Sequence, residues 1–250
     1  MVWKRQPMAT HQAPSIAQPI VSIIIPVMNE APLLDRQLRQ LAALPQTEVI
    51  VVDGGSRDAT TVIVCQHAAT DPTIRLLESP MGRSIQMNTG AAVARGEWLL
   101  FLHADTTLPA ESHQQLLSIA EADPEHRAGA FAFRVTGDSG WFRWLERSVG
   151  WRNRRMRLPF GDQGLFVRRG YFRQLGGYRE DYPLMEDVEL VQRLRRASGF
   201  RILHDYPVVT SGRRWQEEGY LFTSARNIFL QLLYRCGIHP KILAKMYWKK

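Results

Sequence analysis

Acidic and amide residues stand in this chain where short apolar runs stop. Asn29 and Glu30 follow Val21 to Pro26, and Asp53 leads the turn Asp53-Gly54-Gly55-Ser56. His103-Ala104-Asp105 closes the run from Glu97. A carboxylate at a strand end can accept hydrogen bonds from ribose hydroxyls or a base N–H, or it can bind a cation through its oxygens. Each has a plainer alternative: Asp53 in an Asp-Gly turn, Asn29 and Glu30 as a cap ahead of Pro32, Asp105 as a cap before "LPAESHQQLL". Glu186 and Asp187 open the segment "MEDVELVQRLRRASG". There they can hold a proton for an incoming hydroxyl or merely favour the helix N-terminus, with Glu189 facing solvent. Arg83, just before a helix, can pair with phosphate oxygens, and Asn88 lies on that same helix. Asp162 and Gln163 sit in the glycine-flanked loop "PFGDQGLFVRR" and can bond sugar hydroxyls, or simply form a turn.

The elements that must position these residues alternate. Strand signals lie at Val21 to Pro26, Glu48 to Ser56, "TIRLLES" and "EWLLFLHAD". Between them, helical spacing recurs at Leu33 to Leu44, at "ATTVIVCQHA" with Ser56 as N-cap, and at "SIQMNTGAAVARG", closed by Gly96. Gly90 and Ala94 are small enough for close helix–sheet packing. This β-α order predicts an α/β fold with a mostly parallel sheet and helices on both faces. In such sheets ligands bind beyond the carboxyl ends of the strands, so the loaded ends can converge in one crevice. The second half predicts a strand at Ala128 to Val135, a strand and short helix in Gly164 to Tyr178, a helix at Met185 to Gly199 and a last strand "FRILHD". A helical segment then runs from Trp215 to about Tyr234, with a basic tail beyond.

Length and composition set the bounds. The chain has 250 residues, 45% hydrophobic and 22% charged, enough for one large α/β domain with a sizeable core. Residues 1–19 read as a mobile tail without the apolar stretch of a signal peptide. No apolar run is long enough to span a bilayer. Two distant cysteines, Cys65 and Cys236, offer no metal or disulfide framework; they read as buried or half-buried thiols in a cytoplasmic protein. A net charge of +8 favours anionic partners without choosing among nucleic acid, lipid and phosphorylated substrates. Trp141 to Arg157 mixes arginine and tryptophan, which suits a membrane interface, a phosphorylated acceptor, nucleic acid or a solvated basic flap. In "YLFTSARNIFLQLLYRCG", Leu221, Ala225, Ile228 and Leu232 form one stripe, widened by Phe222, Phe229 and Leu233. That stripe suits core packing, an interfacial helix or a dimer contact.

Taken together, "VSIIIPVMNE", "VIVVDGGSRDAT", "GRSIQMNTGAAVARGEWLLFLHADT", "FVRRGYFRQLGGYRE" and "MEDVELVQRLRRASG" resemble family 2 glycosyltransferases, in order, across roughly Ile20 to Trp215. Through "LHADT", "GDQG" and "RRW" the chain is also similar to a small bacterial branch named radical-SAM/selenodomain-associated, a name that records gene neighbourhood. The resemblance implies a GT-A fold over residues 20–215, with residues 216–250 as an amphipathic helix and basic tail packed on the same domain. It implies inverting transfer of a sugar from a nucleotide donor, a UDP-sugar being favoured, to an acceptor hydroxyl. Asp53, with Asn29 or Glu30, would hold the nucleoside; Arg83 and Asn88 would face the donor phosphates. The family's Asp-X-Asp motif stands here as His103-Ala104-Asp105, so Asp105 is the expected ligand of a divalent cation, Mg²⁺ or Mn²⁺. The altered first position leaves the cation's identity open, and His103 would contact the ribose or diphosphate. Asp187 matches the usual general base, supported by Glu186. Asp162 and Gln163 fall on the sugar or acceptor side. Arg214 and Trp215 match the arginine–tryptophan motif of processive members, with Ser211 where glutamine is usual. The acceptor is unassigned; a lipid-linked or membrane-associated molecule, with the protein peripheral on the inner face of the membrane, fits the charge and aromatics. No specific nucleic acid is expected. A nucleotidyltransferase would need a glycine-rich basic loop after the first strand, which "PVMNEAP" lacks. A non-catalytic binding module of the same fold has no need of both Asp105 and Asp187.

Overall fold

The computed structural model describes residues 18–196 and 199–248; the tail expected over residues 1–19 lies almost wholly outside them. β1 (Val21–Val27), β2 (Thr47–Asp53), β3 (Ile74–Glu78) and β4 (Trp98–Phe101) form the parallel half of one sheet. β1 lies between β2 and β4, and Ile23, Ile24 and Ile25 are all fully buried. Alternate residues point to opposite faces, which requires a helical layer on each. Ile23 and Ile25 pack with Leu34, Leu38 and Leu41 of α1 (Ala31–Ala42) and with Leu116 of α4 (Ala110–Ala122). Ile24 packs with Met87 and Ala91 of α3 (Arg83–Val93) and Leu190 of α7 (Glu186–Leu194). α2 (Thr60–Thr70) completes the first half.

Beyond β4 the sheet turns mixed. β5 (Thr106–Thr107), β6 (Ala128–Val135), β7 (Leu165–Arg168) and β8 (Phe200–Thr210) complete the order β3-β2-β1-β4-β7-β6-β8-β5. β7 runs antiparallel to both β4 and β6, β6 and β8 are parallel, and β5 is antiparallel to β8. The basic-aromatic stretch forms α5 (Gly140–Met156), which packs Phe142 and Val149 on Phe133 and Val135. α6 (Arg169–Gln174) follows β7.

The expected close packing holds at Gly90, where a Cβ would lie 2.6 Å from Ile24 Cγ2. Other expectations need correction. Ala59, not Ser56, occupies the N-cap of α2, and Asp58 serves its first turn by accepting from Thr60 N at 3.0 Å. Gly96 does not close α3, which ends at Val93; it sits where a Cβ would come within 2.7 Å of Ser22 N. Glu189 faces Arg193, not open solvent, at 2.5 Å. Both cysteines are exposed.

The segment after Trp215 divides at Gly219, whose φ is +91°, into α8 (Arg213–Glu218) and α9 (Tyr220–Arg235). The basic tail forms α10 (Pro240–Trp248). α9 buries Thr223 and Leu230, whereas Leu221, Phe222, Ile228, Phe229 and Leu232 are exposed. The broad apolar stripe therefore faces outward, against the core-packing alternative. Leu230 and Leu243 pack on Met185 and Val188, seating the C-terminal helices beside the start of α7. Among the described residues no helix is long and apolar enough to cross a membrane.

Candidate active site

The site forms where the carboxyl ends of β1, β2 and β4 meet the loop before β7 and the start of α7. Asp53 ends β2 and is 3% exposed. Its Oδ2 accepts from Gly55 N and Ser56 N, each at 2.9 Å, which is the Asp-Gly turn geometry. Its Oδ1 is buried without a partner. A buried carboxylate oxygen left unpaired costs free energy, so the turn leaves one acceptor to offer a ligand. Asn29 is left-handed at φ +58°, donates its N–H to Ser56 Oγ at 2.8 Å and accepts from Arg57 N at 2.8 Å. It thereby ties the turn after β1 to the turn after β2. Glu30 occupies the N-cap position of α1, but its side chain does not cap; its N–H donates to Thr60 Oγ1.

Buried glutamines that sequence reasoning passed over lock these turns. Gln86 of α3 donates to Val27 O and Val52 O, both at 2.8 Å. Gln37 of α1 donates to His103 O and Thr106 O, both at 2.8 Å. Gly54 lies against Gln86, whose side chain would stand 3.0 Å from a Cβ there. The available signal was an amide on the apolar face of an otherwise regular helix.

His103, Gly161 and Asp187 come together although they lie far apart in sequence. A Cβ at Gly161 would lie 3.1 Å from Asp187 Oδ2 and 3.3 Å from His103 Nε2. Gly161 N donates to Asp187 Oδ2 at 2.6 Å, and Val188 N to Oδ1 at 2.7 Å. Those two bonds fix the carboxylate's orientation while leaving each oxygen a further lone pair. Met185, directly before this pair, is left-handed at φ +65°, a conformation that costs a non-glycine residue about 1 kcal/mol. Glu186 is 2% exposed and pairs with Arg83 at 3.1 Å. Burial raises the Glu186 carboxyl above its ordinary range; Arg83 opposes the rise and Asp187 adds to it. Burial works to lower the Arg83 pKa, but Glu186 and Asp187 outweigh it and hold the guanidinium above its usual value.

Asp162 lies in the short 3₁₀ turn Gly161–Gln163. Burial pushes its carboxyl up to about 6; Arg152 pulls against this, and Asp187 and Asp105 push the same way. Asp162 Oδ1 is buried without a partner. Asp105 is half-buried and accepts from Thr106 Oγ1 at 3.2 Å, a long bond, while its backbone O accepts from Ser211 N. Carboxylates gathered around Asp162, with its orphaned acceptor among them, form a donor set that suits an oxygen-seeking divalent cation. Among the described residues no cluster of three or more His, Cys, Asp or Glu makes a self-sufficient metal site. One or two carboxylates are nevertheless enough for Mg²⁺ when phosphate oxygens and water supply the rest.

Other expected site residues have structural occupations. Asn88 donates to Tyr178 O at 2.9 Å and Glu180 Oε1 at 3.0 Å and accepts from Tyr178 N, holding the loop after α6. Gln163 is fully buried, donates to Phe131 O and accepts from Arg152 and Phe160 N. Arg152 lies 3.7 Å over the Phe160 ring. Burial lowers its pKa to about 10, with Asp162 and Asp187 opposing and Arg235 assisting. Arg152 thus interacts with both Asp162 and Asp187, a role its sequence position does not single out. Trp215 packs edge-on against Phe142, centroids 6.5 Å apart, on α5. The side chain of Arg214 lies outside the described residues.

Comparison with known proteins identifies the family of the chain. The profile of glycosyl transferase family 2 matches residues 22–176. Validoxylamine A glucosyltransferase of Streptomyces hygroscopicus subsp. jinggangensis is 27% identical over a match covering 92% of this chain and 63% of that protein. A PGL/p-HBAD biosynthesis glycosyltransferase of Mycobacterium tuberculosis is 33% identical, covering 69% of this chain and 68% of that protein. This chain thus spans about two thirds of the length of these relatives. Mannosyltransferase PcManGT from Pyrobaculum calidifontis, solved with GDP-Man and Mn²⁺, superposes with a TM-score of 0.58 at 22% identity. That match covers 83% of this chain and 60% of PcManGT, and the likeness is one of fold, of GT-A type. On the family match, supported by the order of its strand ends and carboxylates, the chain belongs to glycosyl transferase family 2.

Proposed function

We propose that this chain transfers a sugar from a nucleotide-diphosphate donor to an acceptor hydroxyl with inversion, Asp187 acting as general base. The observation that carries the reading is the meeting of His103, Gly161 and Asp187, which joins three sequence segments at one end of the sheet. Asp187 is held by two backbone N–H donors, so its carboxylate is aimed before any acceptor arrives. It would take the acceptor hydroxyl's proton as that oxygen attacks the anomeric carbon from the side opposite the leaving diphosphate. Arg83 holds Glu186 in place and, with nearly half its side chain exposed, is also positioned to pair with a donor phosphate. The partnerless oxygen of Asp53 would accept from the nucleoside, a uridine being favoured, beside the turn that Asn29 and Glu30 help build.

Asp105 would hold a divalent cation, Mg²⁺ or Mn²⁺, with His103 and Asp162 beside it; bound there, the cation supplies neutralising charge for the leaving diphosphate. Asp162 and Arg152 then face the sugar or acceptor side, and Asn88 and Gln163 hold the surrounding loops. The motifs "LHADT", "GDQG" and "RRW" support placement in the radical-SAM/selenodomain-associated branch of the family. Exposed free thiols fit a reducing, cytoplasmic setting.

Calorimetric titration with UDP and with GDP tests the reading, run with Mg²⁺, with Mn²⁺ and with EDTA, on the native chain and on Asp105→Ala. One nucleotide should bind only with metal, and the substitution should abolish that binding. Binding that ignores both metal and the substitution would remove Asp105 from the role. No binding under any condition would remove the transferase reading in favour of a binding module.

A further inference from the structure

We propose that α5, α9 and α10 together form a docking face for an anionic lipid surface. Charge is divided sharply along the chain. Residues 140–157 and 219–250 hold twelve of the 32 basic residues and only one of the 24 acidic ones, Glu146. The rest of the molecule is therefore slightly acidic, and the net charge of +8 comes entirely from these two segments. Glu146 is not free to offset them: it pairs with Arg143 at 2.8 Å and accepts from Val135 N.

The helices adjoin. α9 begins against α5, with the Tyr220 ring 6.4 Å from that of Trp141 and 5.4 Å from that of Phe142. α10 is fastened to α9 by Arg226, which stacks 4.6 Å from the Tyr247 ring. On α5, Trp144 and Trp151 are 52% and 63% exposed and seven residues apart, hence on one face, with Arg147 between them and Arg154 and Arg155 following. α10 likewise exposes Ile242, Met246 and Trp248, with the exposed Lys241 and Lys245 on the same short helix. Tryptophan beside arginine and lysine is the composition that enters the headgroup layer, the rings resting at the acyl boundary and the cations on phosphate. A second protein copy would leave this excess of positive charge facing itself. Nucleic acid would satisfy the charge but leave the apolar stripe exposed to water. Anionic lipid answers both features.

The face does not depend on the donor chemistry above, and vesicle binding reads it with no nucleotide present. The chain is sedimented with phosphatidylcholine vesicles and with vesicles also containing phosphatidylglycerol, while tryptophan emission is followed. Co-sedimentation with the anionic vesicles and a blue shift are expected. Trp144→Ser combined with Trp151→Ser should weaken binding at least about tenfold, as should Ile228→Ser combined with Phe229→Ser. All four side chains are exposed, so melting temperatures should stay near that of the native chain. The proposal is overturned if the native chain stays in the supernatant. It is equally overturned if both double variants bind like the native chain, or if centrifugation without lipid finds a dimer that those substitutions dissociate. Binding to duplex DNA as tight as to anionic vesicles, and untouched by the apolar substitutions, would reduce the face to nonspecific basicity.

Discussion

Replacing Arg83 by methionine tests the electrostatics of the site directly. Glu186 is 2% exposed and its carboxylate is paired with Arg83 at 3.1 Å. Removing one partner of a fully buried pair costs about 3–5 kcal/mol, because the other charge is left without compensation. Arg83 keeps 46% of its side chain in solvent, so water already screens the pair; we expect a loss of about 1.5–2.5 kcal/mol near pH 8. The loss must depend on pH. Burial holds Glu186 above its ordinary value of 4.5 even with the arginine present, and removing the cation raises it further. A carboxyl with a raised folded pKa binds its proton more tightly when folded. Stability therefore falls as pH rises from the unfolded value through the folded one, and is regained on acidification. Urea unfolding of the native chain, Arg83→Met, Glu186→Gln and the double variant, at pH 8 and near pH 5, measures this. The arginine variant should recover much of its loss at the lower pH. At pH 8 the double variant should be more stable than Arg83→Met alone. A loss that is flat with pH, or a coupling energy under about 0.5 kcal/mol, refutes the argument.

Asp187→Asn should lower kcat about a thousandfold while leaving nucleotide affinity within about twofold, read by product formation and by calorimetry. Gly161→Ala would place a methyl 3.1 Å from Asp187 Oδ2 and 3.3 Å from His103 Nε2. It should cut kcat about tenfold or more with little change in circular dichroism. His113 is 1% exposed and shares a 2.8 Å hydrogen bond with Thr47 Oγ1; burial holds its pKa down to about 4 against an ordinary 6.5. The unfolded chain therefore takes up a proton first, so stability is full above about pH 6.5 and falls by up to about 3 kcal/mol as pH drops towards 4. Urea midpoints at pH 7 and pH 5 should differ less in His113→Asn than in the native chain.

Local pattern carried the parallel half of the fold. β1 and β2 are built around the apolar, β-branched runs Ile23 to Ile25 and Val49 to Val52, and such runs have few alternatives to a buried strand. β6 spans Ala128–Val135, as its pattern predicts. Competition between neighbouring caps was less legible: Ser56 and Asp58 are both good cap residues, and only the bond from Asn29 N to Ser56 Oγ shows why the serine was unavailable. The outward turn of the α9 stripe was not legible either, because a wide apolar face has the same spacing whether it meets a core or a surface. For the site, residue type makes the carboxylates candidates but says nothing of what holds them. Asn88 and Gln163 look like ligand amides and serve as braces. Arg152 looks like one of many surface arginines and turns inward to Gln163. These assignments depend on which loops meet, and loops that meet at the end of a sheet are separated by whole strands and helices.

The amides of Gln37 and Gln86 have an effect that reaches beyond holding turns. The carbonyls of Val27, Val52, His103 and Thr106 lie at the sheet end where the carboxylates collect; Val27 O also accepts from Gly54 N and His103 O from Thr106 N, and the glutamines take up a further lone pair on each. Left open, they would add to the repulsion felt by a polyanion arriving there. Each glutamine covers two of them from the helix side with an uncharged amide. The floor of the crevice is thus made quieter towards phosphate without being made positive. In the proposed function, attraction would be left to the few groups able to respond to a particular anion, and an approaching nucleotide would meet selectivity before it meets charge.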